Sequence, residues 1–353
     1  MDVHSVEDLA RQLNVEWSGL RTGRQASSRE TERIKKACQH LMPPDTSLAL
    51  FGSLARGEFT DGSDVDWTLL VDGITIPEHL TVARQISEAL ETLNFKAPGR
   101  TGTFANLASS HNLIHCIGGD DDTNANTTRR SLLLLEASAV GSDEAFRRVR
   151  NNILKRYLQE DLGLWRSSTK QKIPHFLLND FARYWRTMAV DFADKQHDRF
   201  HEGFALRNIK LRLSRKLLYI SGLLRVFRAQ LDMQDETARV DFFRRDNSVA
   251  VASYFTDLLE KTPLDFAAET LWQFADRPEA VKALFSAYNE FLEILSDSSK
   301  RERLESLQPE DLENDPVYTE ARDVSHRFRS AVTSIFLTPD NQIGKLTIEY
   351  GVF

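Results

Sequence analysis

The chain has 353 residues and a net charge of −7, with 45 Lys and Arg against 52 Asp and Glu. That length allows one to three domains with ample core. The acidic balance argues against a protein that coats nucleic acid over its whole surface, though not against a local basic groove.

Two cysteines, Cys38 and Cys116, lie far apart without metal-ligand spacing, which fits a reduced cytoplasmic setting. No apolar run approaches the about 18 residues of a membrane span, and the N-terminus shows no basic-then-apolar leader. The expectation is a cytoplasmic protein without membrane contact.

Taken in chain order, residues 1–22 carry Val6, Leu9, Leu13 and Val15 at helical spacing, with Ser5 as the cap. A second helix is predicted over 27–41, closing before Pro43-Pro44. Strands follow at 47–52 and 64–71, then a helix from Pro77 through Leu93. Phe95 and Ala97 read as a short strand, and Leu113-Ile114-His115-Cys116-Ile117 as a further strand ending at Gly118-Gly119. From Asn126 the pattern is helical, with segments at 126–139, 143–160, 173–196, 206–230, 247–260, 263–273, 277–297 and 317–337. Residues 298–316, rich in Ser, Glu, Asp and Arg and containing Pro309 and Pro316, read as a mobile connection. The expected fold is α+β: a small mixed β-sheet head with flanking helices, then a larger all-α domain. The expected boundaries are an N-terminal helix at 1–25, the head at 26–140 and the helical domain at 141–353.

The most informative stretch runs Phe51-Gly52-Ser53-Leu54-Ala55-Arg56-Gly57-Glu58, followed by Gly62-Ser63-Asp64-Val65-Asp66-Trp67. Asp64 and Asp66 are two apart, so on an extended strand both carboxylates share a face, with backbones roughly 6–7 Å apart. Magnesium takes a few carboxylates together with phosphate oxygens and water. Gly52 lets the backbone approach an anion closely, the Ser53 hydroxyl can donate to it, and Arg56 can add a charged fork. The combination predicts a site for a nucleoside triphosphate and Mg2+, with Mn2+ as a substitute. An ordinary hairpin with a solvated Asp pair explains the two acids but not the Gly-Ser turn before them.

A second constellation is Asp120-Asp121-Asp122 after Gly118-Gly119, followed by Arg129-Arg130. Three consecutive acids repel one another unless solvent or a cation screens them. An exposed acidic loop before a capped helix is one reading. The other gives the loop an active-site acid and gives Arg129 a phosphate. In the helical half, Arg183, Arg186 and Lys195 share one helix, and Arg207, Lys210 and Ser214 lie nearly on one face. A solvated charged face paired with acids such as Asp180 and Asp191 is the plain alternative.

The Gly-Ser turn, the Arg-Gly-Glu that follows and the Ser-Asp-Val-Asp strand resemble the nucleotidyltransferase superfamily related to DNA polymerase β. With Pro174–Thr187, Arg207–Leu217 and the terminal Glu349-Tyr350-Gly351-Val352-Phe353, the chain is similar to bacterial nucleotidyltransferases allied to the N-terminal part of PII-protein uridylyltransferase. The resemblance implies NMP transfer from an NTP to an acceptor hydroxyl with release of pyrophosphate. It places metals on Asp64 and Asp66, the triphosphate at Gly52, Ser53 and Arg56, and the outgoing phosphates at Lys210 and Ser214. It also calls for a third acid on a strand neighbouring the Asp pair, sharing a metal and drawing off the proton. His115, in the middle of the expected strand, is a poor magnesium ligand, so that role falls to Asp121, with Asp122 and Asp120 beside it. The acceptor is expected to be a protein side chain. The alternatives are an RNA end or a second nucleotide, and a different class is a regulatory protein that binds nucleotide without turnover. The metal-dependent hydrolase and sensor regions of the full uridylyltransferase have no counterpart here, so a nitrogen-sensing role does not carry over.

Overall fold

The computed structural model describes residues 3–96, 103–198 and 203–351, with 195–198 as backbone only. Ala97, the side chain of Lys195, Val352 and Phe353 therefore lie outside the described residues. The chain opens with α1 (Val6–Gln12), whose cap Ser5 accepts the Asp8 N–H at 3.2 Å, and α2 (Ser18–Cys38). Then come β1 (Thr46–Phe51), α3 (Gly52–Arg56), β2 (Asp66–Val71), α4 (Pro77–Thr92), β3 (Asn106–Ser109) and α5 (Ser110–His115). α6 (Asn124–Leu135), β4 (Ser138–Val140) and α7 (Glu144–Glu160) complete the sheet region.

The rest is mostly helical: α8 (Leu162–Trp165), α9 (His175–Asp198), α10 (Phe204–Lys210), a π-helical segment (Leu211–Arg215), α11 (Lys216–Asp232) and α12 (Glu236–Phe242). α13 (Ser248–Leu258), α14 (Pro263–Phe274), α15 (Pro278–Ser296), α16 (Ser298–Ser306), α17 (Pro316–Phe336) and α18 (Gln342–Leu346) follow. Two compact units result. The sheet unit takes 23–162 and 249–262, and the helical unit takes 1–22, 163–248 and 263–353. α7 and the segment 249–262 thus group with the sheet.

The four strands run in the order β3-β2-β1-β4, with β1 antiparallel to both neighbours and β2 parallel to β3. Alternation decides the two faces. Leu48, Leu50, Val65, Trp67, Leu69 and Val71 point one way and bury against Ile34 and Cys38 of α2 and Val82, Ile86 and Leu90 of α4. Full burial pushes the Cys38 thiol up to about 11. The opposite face carries Ser47, Leu70, Thr68, Asp66 and Asp64. α7 packs on β1 and β2, and Ser47 Oγ accepts the Phe146 N–H at 3.1 Å. Leu70 is buried, whereas Asp66 is half-buried and Asp64 exposed, so the carboxylate end of that face is open.

Four elements differ from those the sequence predicts. Residues 110–115 are helix α5, not strand, and the strand is β3 at Asn106–Ser109. A five-residue apolar run has no period to separate strand from buried helical turn; here Leu113 is buried, and the rings of His111 and His115 meet at 5.0 Å one turn apart. The helix expected over 126–139 stops at Leu135, because Ser138–Val140 pairs with β1. Helix α2 is continuous over Ser18–Cys38, so the two expected N-terminal helices join differently. Residues 298–306 form α16, not a mobile connection. Asp297 caps it, accepting the N–H groups of Ser299 and Lys300, and Arg301 and Leu304 are buried.

Candidate active site

β1 delivers Gly52 to the open end of the sheet, where Phe51 stands opposite Asp66. Gly52 has φ of +69°, a conformation that costs a side-chain-bearing residue energy, and a Cβ there would lie 3.0 Å from Asp66 Oδ2. The glycine is favoured twice over, by backbone conformation and by the carboxylate it abuts. Beyond it, α3 ends at Gly57, whose φ of +76° closes the helix while the Glu58 N–H bonds Ser53 O at 2.8 Å. α2 holds the following loop: Ser27 Oγ accepts the Phe59 N–H at 2.9 Å and donates to Gly23 O at 2.8 Å.

A buried carboxylate braces this turn from the other side. Glu136, between α6 and β4, accepts the Gly52 N–H on Oε1 at 3.0 Å and Arg56 Nη1 on Oε2 at 2.6 Å. Arg56 Nε also donates to the buried Glu58 at 2.8 Å. Arg56 therefore locks the turn between two acids. Glu136 lies outside every motif in the sequence. The available signal was a charge directly after Leu132-Leu133-Leu134-Leu135, a run buried throughout, which forces the next side chain to find a partner. Glu136→Ala leaves the Gly52 N–H without its acceptor and should cost about 2–3 kcal/mol of stability. Glu136→Gln keeps that acceptor and should cost about half as much. Thermal melts of the two variants check the order, and equal, negligible shifts would rule out the brace.

The acids themselves are presented by a tight turn in which Ser63 N bonds Thr60 O at 3.0 Å and Gly62 takes φ of +82°. Asp64 bridges to Lys96 through the backbone, and β2 begins at Asp66. Val65 and Trp67 are buried between and beyond the two acids, so both carboxylates share the open face, as the spacing predicts. Thr68 continues that face, and its Oγ1 is buried with no hydrogen-bond partner. The Ser53 hydroxyl lies on a half-buried residue of the adjoining turn.

On the other flank, β3 carries no acid. Asn106 stands opposite Thr68 in the parallel pairing, hence on the Asp face. Its Oδ1 accepts Arg129 Nη2 at 2.7 Å, and Arg129 Nε donates to Thr103 O at 2.8 Å. Arg129 is thus tied to the strand beside the carboxylates, and burial pushes its guanidinium below the usual arginine range.

The three consecutive acids have separate fates. Asp122 is buried in a two-pronged ion pair with the fully buried Arg130, both bonds at 3.0 Å, and it also accepts the Gly118 N–H at 3.0 Å. Arg130 Nε further donates to Tyr157 OH at 2.6 Å. Asp120 and Asp121 are exposed in the loop between α5 and α6, which Thr123 caps by accepting the Asn126 N–H at 3.1 Å. Lys210 and Ser214 belong to the helical unit, where Ser214 Oγ donates to Lys210 O at 3.1 Å.

Asp64 and Asp66 offer hard oxygen donors on one face, and the absent Cβ at Gly52 leaves room beside Asp66 Oδ2. No group of three His, Cys, Asp or Glu side chains suited to a metal occurs among the described residues. Two carboxylates completed by phosphate oxygens and water suit Mg2+, which needs no all-protein cage. The residues present fit such an ion.

Residues 31–91 match the family model for the nucleotidyltransferase domain, which is consistent with a polymerase β-like nucleotidyltransferase. That span includes Gly52, Ser53, Asp64 and Asp66 but neither Arg129 nor Glu136. No curated protein and no solved structure matches the chain.

Proposed function

We propose that the protein transfers a nucleoside monophosphate from an NTP to an acceptor hydroxyl, releasing pyrophosphate, with Mg2+ or Mn2+ held by Asp64 and Asp66. The observation that carries this reading is the pair of carboxylates on one open sheet face beside a glycine of positive φ that abuts Asp66. The acceptor oxygen attacks the α-phosphorus, the bond to the bridging oxygen of the β-phosphate breaks, and pyrophosphate leaves. The acceptor proton passes to a nearby base, for which Asp121 is the candidate. The divalent ion supplies charge neutralisation along the triphosphate.

Ser53 donates to the phosphates, and Arg129 adds a fixed positive charge on the opposite flank, beside β3. Arg56 is assigned to hold the turn in shape, acting on the phosphates through Gly52. Lys210 and Ser214 are assigned to the outgoing phosphates on the resemblance alone. Catalysis of this kind rests on positioning and preorganised charge.

The resemblance to the uridylyltransferase head favours a protein side chain as acceptor. A polynucleotide end is the second reading, supported by the basic and aromatic surface described below. No described helix is long and apolar enough to cross a membrane, and both cysteines are free, which supports a cytoplasmic setting. The test incubates the protein with each α-labelled NTP, Mg2+ and cell lysate, with a chelator control. Label entering protein, RNA or a nucleotide product supports transfer and identifies the acceptor. Mg-NTP binding without pyrophosphate release would instead select a non-catalytic regulator.

A further inference from the structure

The helical unit carries a cluster of cations that the acidic composition of the chain does not lead one to expect. The π-helical segment and the start of α11 bring together Arg212, Arg215 and Lys216, and α17, packed against that segment, adds Arg329. None of these four makes an ion pair among the described residues, whereas Arg228, Arg277, Arg301, Arg303 and Arg327 of the same unit are all paired. Lys216 is half-buried, and its ammonium is held below the usual lysine range by burial and by the neighbouring Arg329 and Arg212. Like charges gathered without acids cost stability, which a bound anion offsets.

One turn further along α11, Tyr219 stacks on Trp185 of α9, the rings 5.5 Å apart at 22°. Both are half-buried, and the exposed Arg186 follows Trp185. A π-helical turn opens the regular hydrogen-bond ladder and is frequent at functional sites.

We propose that this face of the helical unit binds a single-stranded polynucleotide, with phosphates along Arg212, Lys216 and Arg329 and a base against the Trp185–Tyr219 pair. Cations beside a half-exposed aromatic stack are how single strands are held without sequence readout. An anionic membrane would use the cations but not a stacked pair, and an acidic peptide has no flat base to place on it. The inference concerns binding and does not depend on the transfer reaction.

The test measures binding of a labelled 12-nucleotide single-stranded RNA by fluorescence anisotropy, using the full chain without NTP or metal. Three phosphate contacts should lower affinity about twentyfold between 50 and 200 mM salt. The double reversal Lys216→Glu with Arg329→Glu should weaken binding at least about tenfold, and Trp185→Ala about tenfold. Lys216→Arg should bind like the parent. Arg244→Glu with Arg245→Glu, exposed residues of the same unit, matches the change in net charge and should leave binding intact.

Four results would overturn the proposal. They are unchanged binding in the cluster variants, equal loss in the Arg244/Arg245 control, equal binding to acidic lipid vesicles, and Trp185→Ala without effect while inorganic polyphosphate competes fully. Circular dichroism of each variant separates lost binding from lost fold. The same assay on Asp64→Ala with Asp66→Ala should show parental binding, so failure of the catalytic reading leaves this result standing.

Discussion

Replacing Asp64 and Asp66 together by alanine should abolish the proposed NMP transfer, lowering pyrophosphate release at least about a thousandfold, and should leave the circular dichroism spectrum unchanged. The asymmetry follows from where the side chains lie. Asp64 is exposed and Asp66 half-buried, so neither helps to fill the core, which Val65 and Trp67 fill from the opposite side of the same strand. Removing the acids takes away the oxygens that would hold the cation, and with it the positive charge that would offset the triphosphate, and nothing in the core is lost. A chelator added to the intact protein should reproduce the kinetic loss and be reversed by excess Mg2+. Persistent transfer in the double variant would defeat the assignment of the site.

The three adjacent acids give the second large effect, and it has the opposite character. Asp122→Ala leaves the fully buried Arg130 without its carboxylate and should cost about 3–5 kcal/mol. For a unit of this size that lowers the melting temperature by roughly 10 °C. Asp121→Ala, at an exposed loop position, should change stability by less than about 0.5 kcal/mol. If Asp121 draws the acceptor proton, the same substitution lowers turnover at unchanged stability. Melts and initial rates on the two single variants separate a structural acid from a chemical one. Equal melting temperatures would show that Asp122 and Asp121 do not differ in structural role.

The parts of the fold legible in the sequence are those with local signals. β2 shows strict alternation around Asp64, Val65, Asp66 and Trp67, and α4 shows Pro77 followed by Val82, Ile86 and Leu90 at helical spacing. β3 and β4 escaped notice because they are four and three residues long and are defined only by what they pair with. Parallel pairing of β3 with β2 leaves no trace in neighbouring residues. The same distinction governs the site. Gly52, Asp64 and Asp66 sit in one stretch whose spacing carries the chemistry. Glu136 and Asn106 act across 84 and 23 residues of chain, and neither has a motif.

The segment matched by the nucleotidyltransferase model contains β1 and β2 but neither outer strand. Cut out alone, residues 31–91 would keep β1 and β2 against α4 but lose the cover of α7 and leave two bare strand edges prone to pair with other chains. Trimming after 162 also fails, because Arg150 bonds Leu259 O and pairs with Glu260 on the returning stretch 249–262. The sheet unit is stitched from two separated lengths of polypeptide, so a stand-alone version requires a linker grafting the second length onto the first.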